Sequence, residues 1–163
     1  MLDLDEWRES GRYSSSDGIS GAVRITHAPN HRGFKGTEFL IDAVSTLRSE
    51  GLKVELQLVE GVTSSEVRDV LINRTDIFVD QLVFTGHGMS AIEGMACGLV
   101  TLSNLEDSSI MTAFRRWTYF EECPLVSVSP ETVTSSLRTL ITQPELRAEL
   151  GAAGREYVEK YHG

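Results

Sequence analysis

A glycine-rich turn between two apolar segments constrains the fold of this chain more than any other feature. The turn opens the segment Gly86-His-Gly-Met-Ser-Ala-Ile-Glu-Gly-Met-Ala-Cys-Gly-Leu-Val100. Residues 77–84 before it are mostly apolar and rich in β-branched and aromatic side chains, which is typical of a buried strand. A short helix is expected to start at Met89 or Ser90, before a second apolar strand at residues 99–102. The sequence therefore predicts a strand, a glycine turn, a helix and another strand.

The start of this helix is a natural site for an anion. The first amide N–H groups of a helix have no partner within the helix, and the helix dipole adds a partial positive charge there. Glycines before the helix allow a phosphate group to approach these amides closely. We therefore expect a phosphate-binding site formed by the turn at Gly86 and Gly88 and by the first residues of the helix.

The alternation of strand and helix recurs about five times along the chain. Apolar, strand-like segments lie at residues 23–27, 53–59, 77–84, 99–102 and 125–128, and helix-like patterns begin at Thr37, Thr63, Met89 or Ser90, Pro130 and Pro144. This order predicts an α/β fold, with a doubly wound, mostly parallel sheet and helices on both faces. Residues 1–20 are predicted to be a linker or a disordered start, and residues 21–163 a single domain. Residues 110–120 have the pattern of a further helix.

Two cations lie in the loop after the first strand. In a parallel sheet, ligands bind beyond the carboxyl ends of the strands, so this loop and the glycine turn should share one edge. That arrangement places Lys35 and Arg32 beside the turn, where they can neutralise a bound anion. The alternative is that Lys35 is an ordinary solvated lysine. His27 and His31 flank the same loop and are expected to be structural residues.

Composition and charge argue against several classes of function. The 163 residues suit one domain, and the 40% of hydrophobic residues are typical of a soluble globular protein. The net charge of −9 argues against a nucleic-acid or anionic membrane partner. No apolar run is long enough to span a membrane, and the acidic N-terminus is not a signal peptide. The two cysteines lie in apolar surroundings without zinc-type spacing, which indicates reduced thiols in a cytoplasmic protein and no metal site. No cofactor is expected.

Residues 88–98, Gly-Met-Ser-Ala-Ile-Glu-Gly-Met-Ala-Cys-Gly, resemble the nucleotide-sugar signature of retaining GT-B glycosyltransferases, the group 1 set or family 4. The resemblance implies that Glu93 binds a ribose. It also implies that the amides of Gly88, Met89 and Ser90 hold a diphosphate.

The lysine loop resembles a second element of that family, R-x-x-x-x-K-G. Lys35 matches the lysine, Asn30 occupies the usual arginine position, and Arg32 follows two residues later. The resemblance thus implies Lys35 and Arg32 as diphosphate ligands. The chain departs from the family at Thr85, which stands where the family has a glutamate that contacts the sugar. Thr85 and His87 are therefore the candidates for contact with the sugar.

The resemblance covers about residues 21–162, which correspond to the C-terminal, donor-binding half of a GT-B enzyme. It implies a Rossmann-like domain that binds a nucleotide diphosphate sugar and serves metal-independent, retaining sugar transfer in polysaccharide biosynthesis. An N-terminal acceptor-binding domain of the same parent chain is the implied partner. The isolated fragment is expected to be inactive, because the catalytic groups of that partner are missing.

Three alternatives remain open at the level of sequence. Ser90 and Glu93 also fit a capping box, in which the glutamate only stabilises the helix start. Residues 86–91 satisfy the dinucleotide fingerprint G-x-G-x-x-A, and acidic residues 106–107 follow at about the spacing of a ribose-binding acid. The third alternative is a non-catalytic nucleotide-sugar-binding module, which the missing sugar-binding glutamate favours.

Overall fold

A parallel five-stranded sheet forms the centre of the protein in a computed structural model that describes residues 1–9, 14–107 and 122–163. The strands are β1 (Val23–His27), β2 (Val54–Leu58), β3 (Ile77–Val79), β4 (Val100–Ser103) and β5 (Val126–Ser127). They lie in the order β2-β1-β3-β4-β5, and every neighbouring pair is parallel. The direction of winding reverses between β1 and β3. In sheets of this kind the ligand crevice lies at that reversal, beyond the carboxyl ends of the two strands.

Helices connect the strands within the described residues. They are α1 (Arg32–Lys35), α2 (Thr37–Ser49), α3 (Ser64–Asn73), α4 (Met89–Ala96), α5 (Val133–Thr142) and α6 (Pro144–Tyr161). Local sequence explains several of their ends. The predicted capping box of α3 is confirmed, because Thr63 and Glu66 exchange hydrogen bonds between side chain and backbone. Pro144 occupies the first turn of α6, where its missing N–H costs nothing.

The sheet is covered on both faces, as the sequence predicted. Ile77 and Val79 of β3 pack into a core with the apolar stripes of α2 and α5. Phe78, which points to the opposite face, packs into a second core with residues of α3, α4 and α6. The alternation of these neighbouring side chains follows from the two-residue period of a strand. The predicted doubly wound α/β fold is therefore confirmed.

Two predicted elements have different bounds in the structure. The strand expected over residues 77–84 ends at Val79, and residues 80–88 form a loop. Apolar residues misled the prediction there, because Val83 and Phe84 are exposed and do not belong to the core. The helix expected from Pro130 begins at Val133, after a turn at residues 130–132 in which the Thr132 amide donates to the Ser129 carbonyl at 3.2 Å.

The N-terminal segment contacts the folded domain although the described residues 1–9 and 14–20 contain no helix or strand. Trp7 is buried in the core that contains α4 and α6. Arg155 of α6 holds it in place, since its Nη1 donates 2.8 Å hydrogen bonds to the carbonyls of both Trp7 and Ala96. The helix predicted over residues 110–120 lies outside the described residues. Among the helices that are described, none combines the length and apolarity needed to span a membrane.

Candidate functional site

The candidate site lies where β1 and β3 end, at the reversal of the sheet. The loop after β1 and the loop after β3 are joined by backbone hydrogen bonds. The Leu82 amide donates to the Lys35 carbonyl at 3.0 Å, and the Phe84 amide donates to the Phe34 carbonyl at 3.2 Å. The predicted proximity of the lysine loop and the glycine turn is therefore observed. It follows from the parallel order of the strands, which places both loops at one edge.

Gly36 allows the lysine loop to turn sharply toward β3. Its φ of 72° lies in the left-handed region that favours glycine, and this residue both ends α1 and precedes α2. A Cβ atom at this position would lie 2.8 Å from the Cβ of Leu82, so the two loops approach too closely for any side chain. The pairing of lysine with glycine in the sequence thus reflects this close approach.

Helix α4 presents an uncapped N-terminus to the site. Its N-cap is Gly88, which has no side chain with which to cap the helix. Ser90 is the second residue of the helix and Glu93 the fifth, so the two cannot form a capping box. The capping-box alternative is therefore wrong. Within the described residues, the amides of Met89 and Ser90 have no hydrogen-bond partner and remain available to an anion.

Glu93 lies one turn further along α4 and is half-buried. In the described part of the chain its carboxylate has no hydrogen-bond partner. Burial raises the pKa of Glu93, and the nearby negative charge of Asp80 raises it further. Since none of the described residues donates to it, the carboxylate can accept hydrogen bonds from a ligand.

Lys35 is an ion-paired residue and not a solvated one. Its Nζ donates to Oδ1 of Asp80 at 3.0 Å and to Oε1 of Gln81 at 3.1 Å. The lysine side chain is only 13% exposed, and that of Asp80 only 1%. The solvated-lysine alternative is therefore wrong. An ammonium group has three N–H donors, so one donor of Lys35 remains for a ligand.

Asp80 is the residue that the sequence interpretation missed. Besides Lys35, it accepts a 3.1 Å hydrogen bond from the Gly88 amide through Oδ2, and Oγ of Ser103 lies 3.2 Å from the same oxygen. One carboxylate thus joins the lysine loop, the start of α4 and the end of β4. A signal was present, because Asp80 and Gln81 interrupt an apolar run at the predicted ligand-binding edge.

Arg32 is paired with two surface carboxylates. Its Nε donates to Oε1 of Glu60 at 2.9 Å, and its Nη1 donates to Oε1 of Glu38 at 2.8 Å. These hydrogen bonds, first that of Glu60 and then that of Glu38, raise the pKa of the guanidinium. The described contacts of Arg32 include neither Lys35 nor the start of α4.

Thr85 and His87 lie on the loop that leads into α4, and both are half-buried. Thr85 Oγ1 contacts Oδ1 of Asn104 at 3.4 Å, and His87 Nδ1 lies 3.4 Å from the Gly88 carbonyl. The Gly86 amide anchors this loop to the sheet, because it donates to the Asn104 carbonyl at 2.7 Å. Both candidate sugar contacts therefore stand beside the N-terminus of α4.

The two histidines of the lysine loop have structural roles, as predicted. His27 is fully buried, with Nδ1 2.8 Å from the Val79 carbonyl and Nε2 2.9 Å from Oγ1 of Thr37. Since a carbonyl can only accept, Nδ1 carries the proton and Nε2 accepts from the threonine hydroxyl. Burial lowers the pKa of His27. His31 is the N-cap of α1 and accepts from the Phe34 amide.

Taken together, the site offers donors for an anion and an acceptor for hydroxyl groups. The donors are the free amides of α4 and one N–H of Lys35, and the acceptor is Glu93. Within the described ranges, no group of three or more histidine, cysteine, aspartate or glutamate side chains is placed to hold a metal ion.

No protein-family model matches the sequence, and a search of the curated proteins finds no match. Among solved structures, the chain is similar to the C-terminal domain of the glycosyl transferase group 1 family protein LpcC from Francisella tularensis. The TM-score is 0.63 and the sequence identity 17%, and the match covers 98% of this chain and 97% of that one. Because both chains are covered almost completely, the likeness extends over the whole fold. The chain therefore has a Rossmann-like α/β fold similar to that of a glycosyltransferase C-terminal domain.

Proposed function

We propose that this chain is the donor-binding domain of a glycosyltransferase, which binds a nucleotide diphosphate sugar and serves the transfer of the sugar to an acceptor. The proposal includes retention of configuration, independence from metal ions, a cytoplasmic location and a role in polysaccharide assembly. It is supported by the convergence of Lys35, the α4 N-terminus and Glu93 at the reversal of the sheet. The likeness in fold to a group 1 glycosyltransferase domain supports it as well.

The position of the half-buried Glu93 carboxylate on α4 is the single observation that carries the proposal. Burial and the nearby negative charge of Asp80 disfavour the charged form of this half-buried carboxylate, and hydrogen bonds donated by a ligand would offset that cost. Glu93 lies four positions after the first residue of α4, a rise of about 6 Å along the helix axis. A phosphate at the free amides would therefore place an attached ribose near Glu93. The two ribose hydroxyls are suitable donors for the two carboxylate oxygens.

In the proposed reaction, negative charge develops on the departing diphosphate. The amides of Met89 and Ser90 and the free N–H of Lys35 stabilise that charge, which is electrostatic catalysis by preorganised donors. Thr85 and His87 contact the sugar. Arg32 reaches the diphosphate only after it releases Glu38 and Glu60. The remaining catalytic groups belong to an N-terminal acceptor domain, so the isolated domain binds its donor without turnover.

The test is a double-mutant cycle between Glu93→Gln and removal of the ribose 2′-hydroxyl. The ligands are UDP, GDP and ADP and the 2′-deoxy form of whichever binds best, measured by titration calorimetry. Glu93→Gln should weaken binding of the ribose nucleotide about ten-fold or more, since a charge-assisted hydrogen bond contributes roughly 1.5–3 kcal/mol. Binding of the 2′-deoxy nucleotide should weaken less, because that ligand has already lost one hydroxyl donor.

Glu66→Gln is the matched control, since Glu66 is a true capping-box residue at the start of α3. It should leave both affinities unchanged. If Glu93→Gln weakens binding of the ribose and the 2′-deoxy nucleotide by the same factor, Glu93 does not bind the ribose. If none of the three nucleotides binds to the wild type or to the variant Asp80→Asn, the proposed function itself fails. Affinity that EDTA abolishes and Mg²⁺ restores would contradict metal independence.

A non-catalytic nucleotide-sugar-binding module is the second candidate. Thr85 cannot supply the carboxylate that the family pattern has at this position, and the buried carboxylate of Asp80 faces the anion site. Turnover by the longer parent chain distinguishes the two candidates. NAD(H) belongs in the same panel of ligands, although the glycine turn here follows the third strand of the chain. Binding of NAD(H) with no binding of nucleoside diphosphates would replace the proposal.

A further inference from the structure

Asp80 occupies the position at which an anionic ligand would seek its partners. Its carboxylate already holds two donors of the proposed diphosphate site, Lys35 Nζ at 3.0 Å and the Gly88 amide at 3.1 Å. We propose that Asp80 is a built-in competitor of the ligand, which weakens binding of a free nucleoside diphosphate more than binding of the nucleotide sugar. This inference rests on the proposed function, and it assigns to Asp80 control over which anion the site prefers.

The count of hydrogen bonds shows what competition means here. Of the three N–H donors of Lys35, one goes to Asp80 and one to Gln81. The Gly88 amide, the donor nearest to the glycine turn, is also taken by Asp80. A diphosphate can use the remaining donors, but it gains the two that Asp80 holds only by displacing that carboxylate. The 1% exposure of Asp80 means that it cannot turn into solvent without local rearrangement.

The charges lead to the same inference. Lys35 is neutralised by Asp80, and Arg32 is neutralised by Glu38 and Glu60. Glu93 then adds a negative charge beside the start of α4. The site therefore offers a diphosphate hydrogen bonds without a net positive charge. Each further negative charge on the ligand is repelled by Asp80 with little screening, because that side chain is buried.

The nucleotide sugar and the nucleoside diphosphate that it releases differ by one negative charge. In a nucleotide sugar the terminal phosphate is a diester, whereas in the free nucleoside diphosphate it is a monoester that carries close to one additional negative charge at pH 7. Asp80 consequently disfavours binding of the nucleoside diphosphate relative to binding of the nucleotide sugar. In an intact enzyme this difference would help the departing nucleotide to leave the site.

Asp80→Asn tests the inference, because it removes the charge and keeps the shape of the side chain. The probes are the best-binding nucleoside diphosphate of UDP, GDP and ADP and the β-methyl ester of that nucleotide. The ester has the charge of a nucleotide sugar without the sugar. We expect Asp80→Asn to tighten binding of the free diphosphate about ten-fold or more and binding of the ester by a smaller factor. Tenfold corresponds to about 1.4 kcal/mol.

Asp76→Asn is the matched control. Asp76 precedes β3, has a side chain that is 1% exposed, and pairs with Arg24 at the opposite edge of the sheet. The variant loses a similar buried ion pair, and its affinity for both probes should remain that of the wild type. If Asp76→Asn tightens binding by the same factor, loosening of the fold explains the gain and the inference is overturned.

The wild type provides a reading that does not depend on how a variant folds. It should bind the methyl ester at least as tightly as the free diphosphate, and a ten-fold preference for the free diphosphate overturns the inference. Measurable binding with equal or weaker affinity in Asp80→Asn also overturns it, while the proposed function stands. Binding that appears only in Asp80→Asn supports it. Absence of binding in both proteins overturns the inference together with the proposed function.

Discussion

Lys35→Ala is expected to destabilise the unliganded protein, although lysine substitutions on a loop are usually mild. The substitution leaves the Asp80 carboxylate buried, and the Gly88 amide and Ser103 are then the hydrogen-bond partners that the described residues provide. Removing one partner of a buried ion pair typically costs 3–5 kcal/mol, because the other charge stays uncompensated. Lys35 itself is 13% exposed, so water reaches the vacated position and the lower end of that range applies.

We therefore expect a loss of about 3 kcal/mol in the free energy of unfolding. For a chain of this size, each kcal/mol corresponds to roughly 2–4 °C, so the melting temperature should fall by about 6–12 °C. Urea unfolding gives the free energy, and thermal unfolding followed by circular dichroism gives the melting temperature. An unchanged slope of the urea transition would show that only stability has changed.

A second substitution separates the buried charge from lost packing. Asp80→Asn in the Lys35→Ala background removes the uncompensated carboxylate and should recover about half of the lost stability, with a coupling energy of about 1–3 kcal/mol. If the two losses add instead, the side chains are not coupled and the reasoning fails. The reasoning fails equally if Lys35→Ala leaves the urea midpoint in place.

An exposed ion pair provides the control for burial. Arg138 and Glu50 form two hydrogen bonds of 2.8 Å, shorter than the 3.0 Å contact between Lys35 and Asp80. Both side chains are well exposed, so solvent and salt screen the pair. Arg138→Ala should leave the urea midpoint unchanged within error. A loss equal to that of Lys35→Ala would show that distance, rather than burial, sets the contribution.

Three further predictions concern stability. Gly94→Ala should lower the free energy of unfolding by about 1–2 kcal/mol, because overpacking outweighs the gain in helix propensity. The added Cβ would lie 2.5 Å from Phe78 Cδ1 and 2.8 Å from Thr101 Oγ1. Phe78→Leu, measured by urea unfolding, should therefore cost less stability in the Gly94→Ala background than in the wild type. Glu93→Gln should raise the melting temperature of the unliganded protein at pH 7. Burial raises the pKa of Glu93, so the wild type loses stability as pH rises through that folded-state pKa, and the difference should disappear below the unfolded pKa near 4.3 in a series of melts at different pH. Burial lowers the pKa of His27, so its contribution to stability is complete above the unfolded-state pKa of about 6.5 and declines as the pH falls below that value. His27→Gln should reduce the slope of the free energy of unfolding against pH in this range. Equal slopes in the two proteins would contradict a buried, neutral His27.

The sequence by itself determined the architecture and predicted where the candidate site lies. The stripe of α2, the capping box of α3 and the proline at the start of α6 are local patterns. They arise from hydrogen bonds and periodicities that span a few residues, so they can be recognised without tertiary information. Parallel strands then place the loops that follow them at one edge. For that reason Lys35 could be placed beside the glycine turn from chain order alone.

Only the tertiary structure decided which groups of the site are free. Whether Ser90 or Gly88 caps α4 depends on the contacts of the preceding loop, since the local sequence fits both. The partners of Lys35 lie 45 and 46 residues further along the chain, and they become neighbours only because β1 and β3 are adjacent. Strands that are apolar on both faces carry little information about their order. Asp80 therefore remained unassigned in the sequence, although its buried carboxylate now fixes the electrostatics of the site.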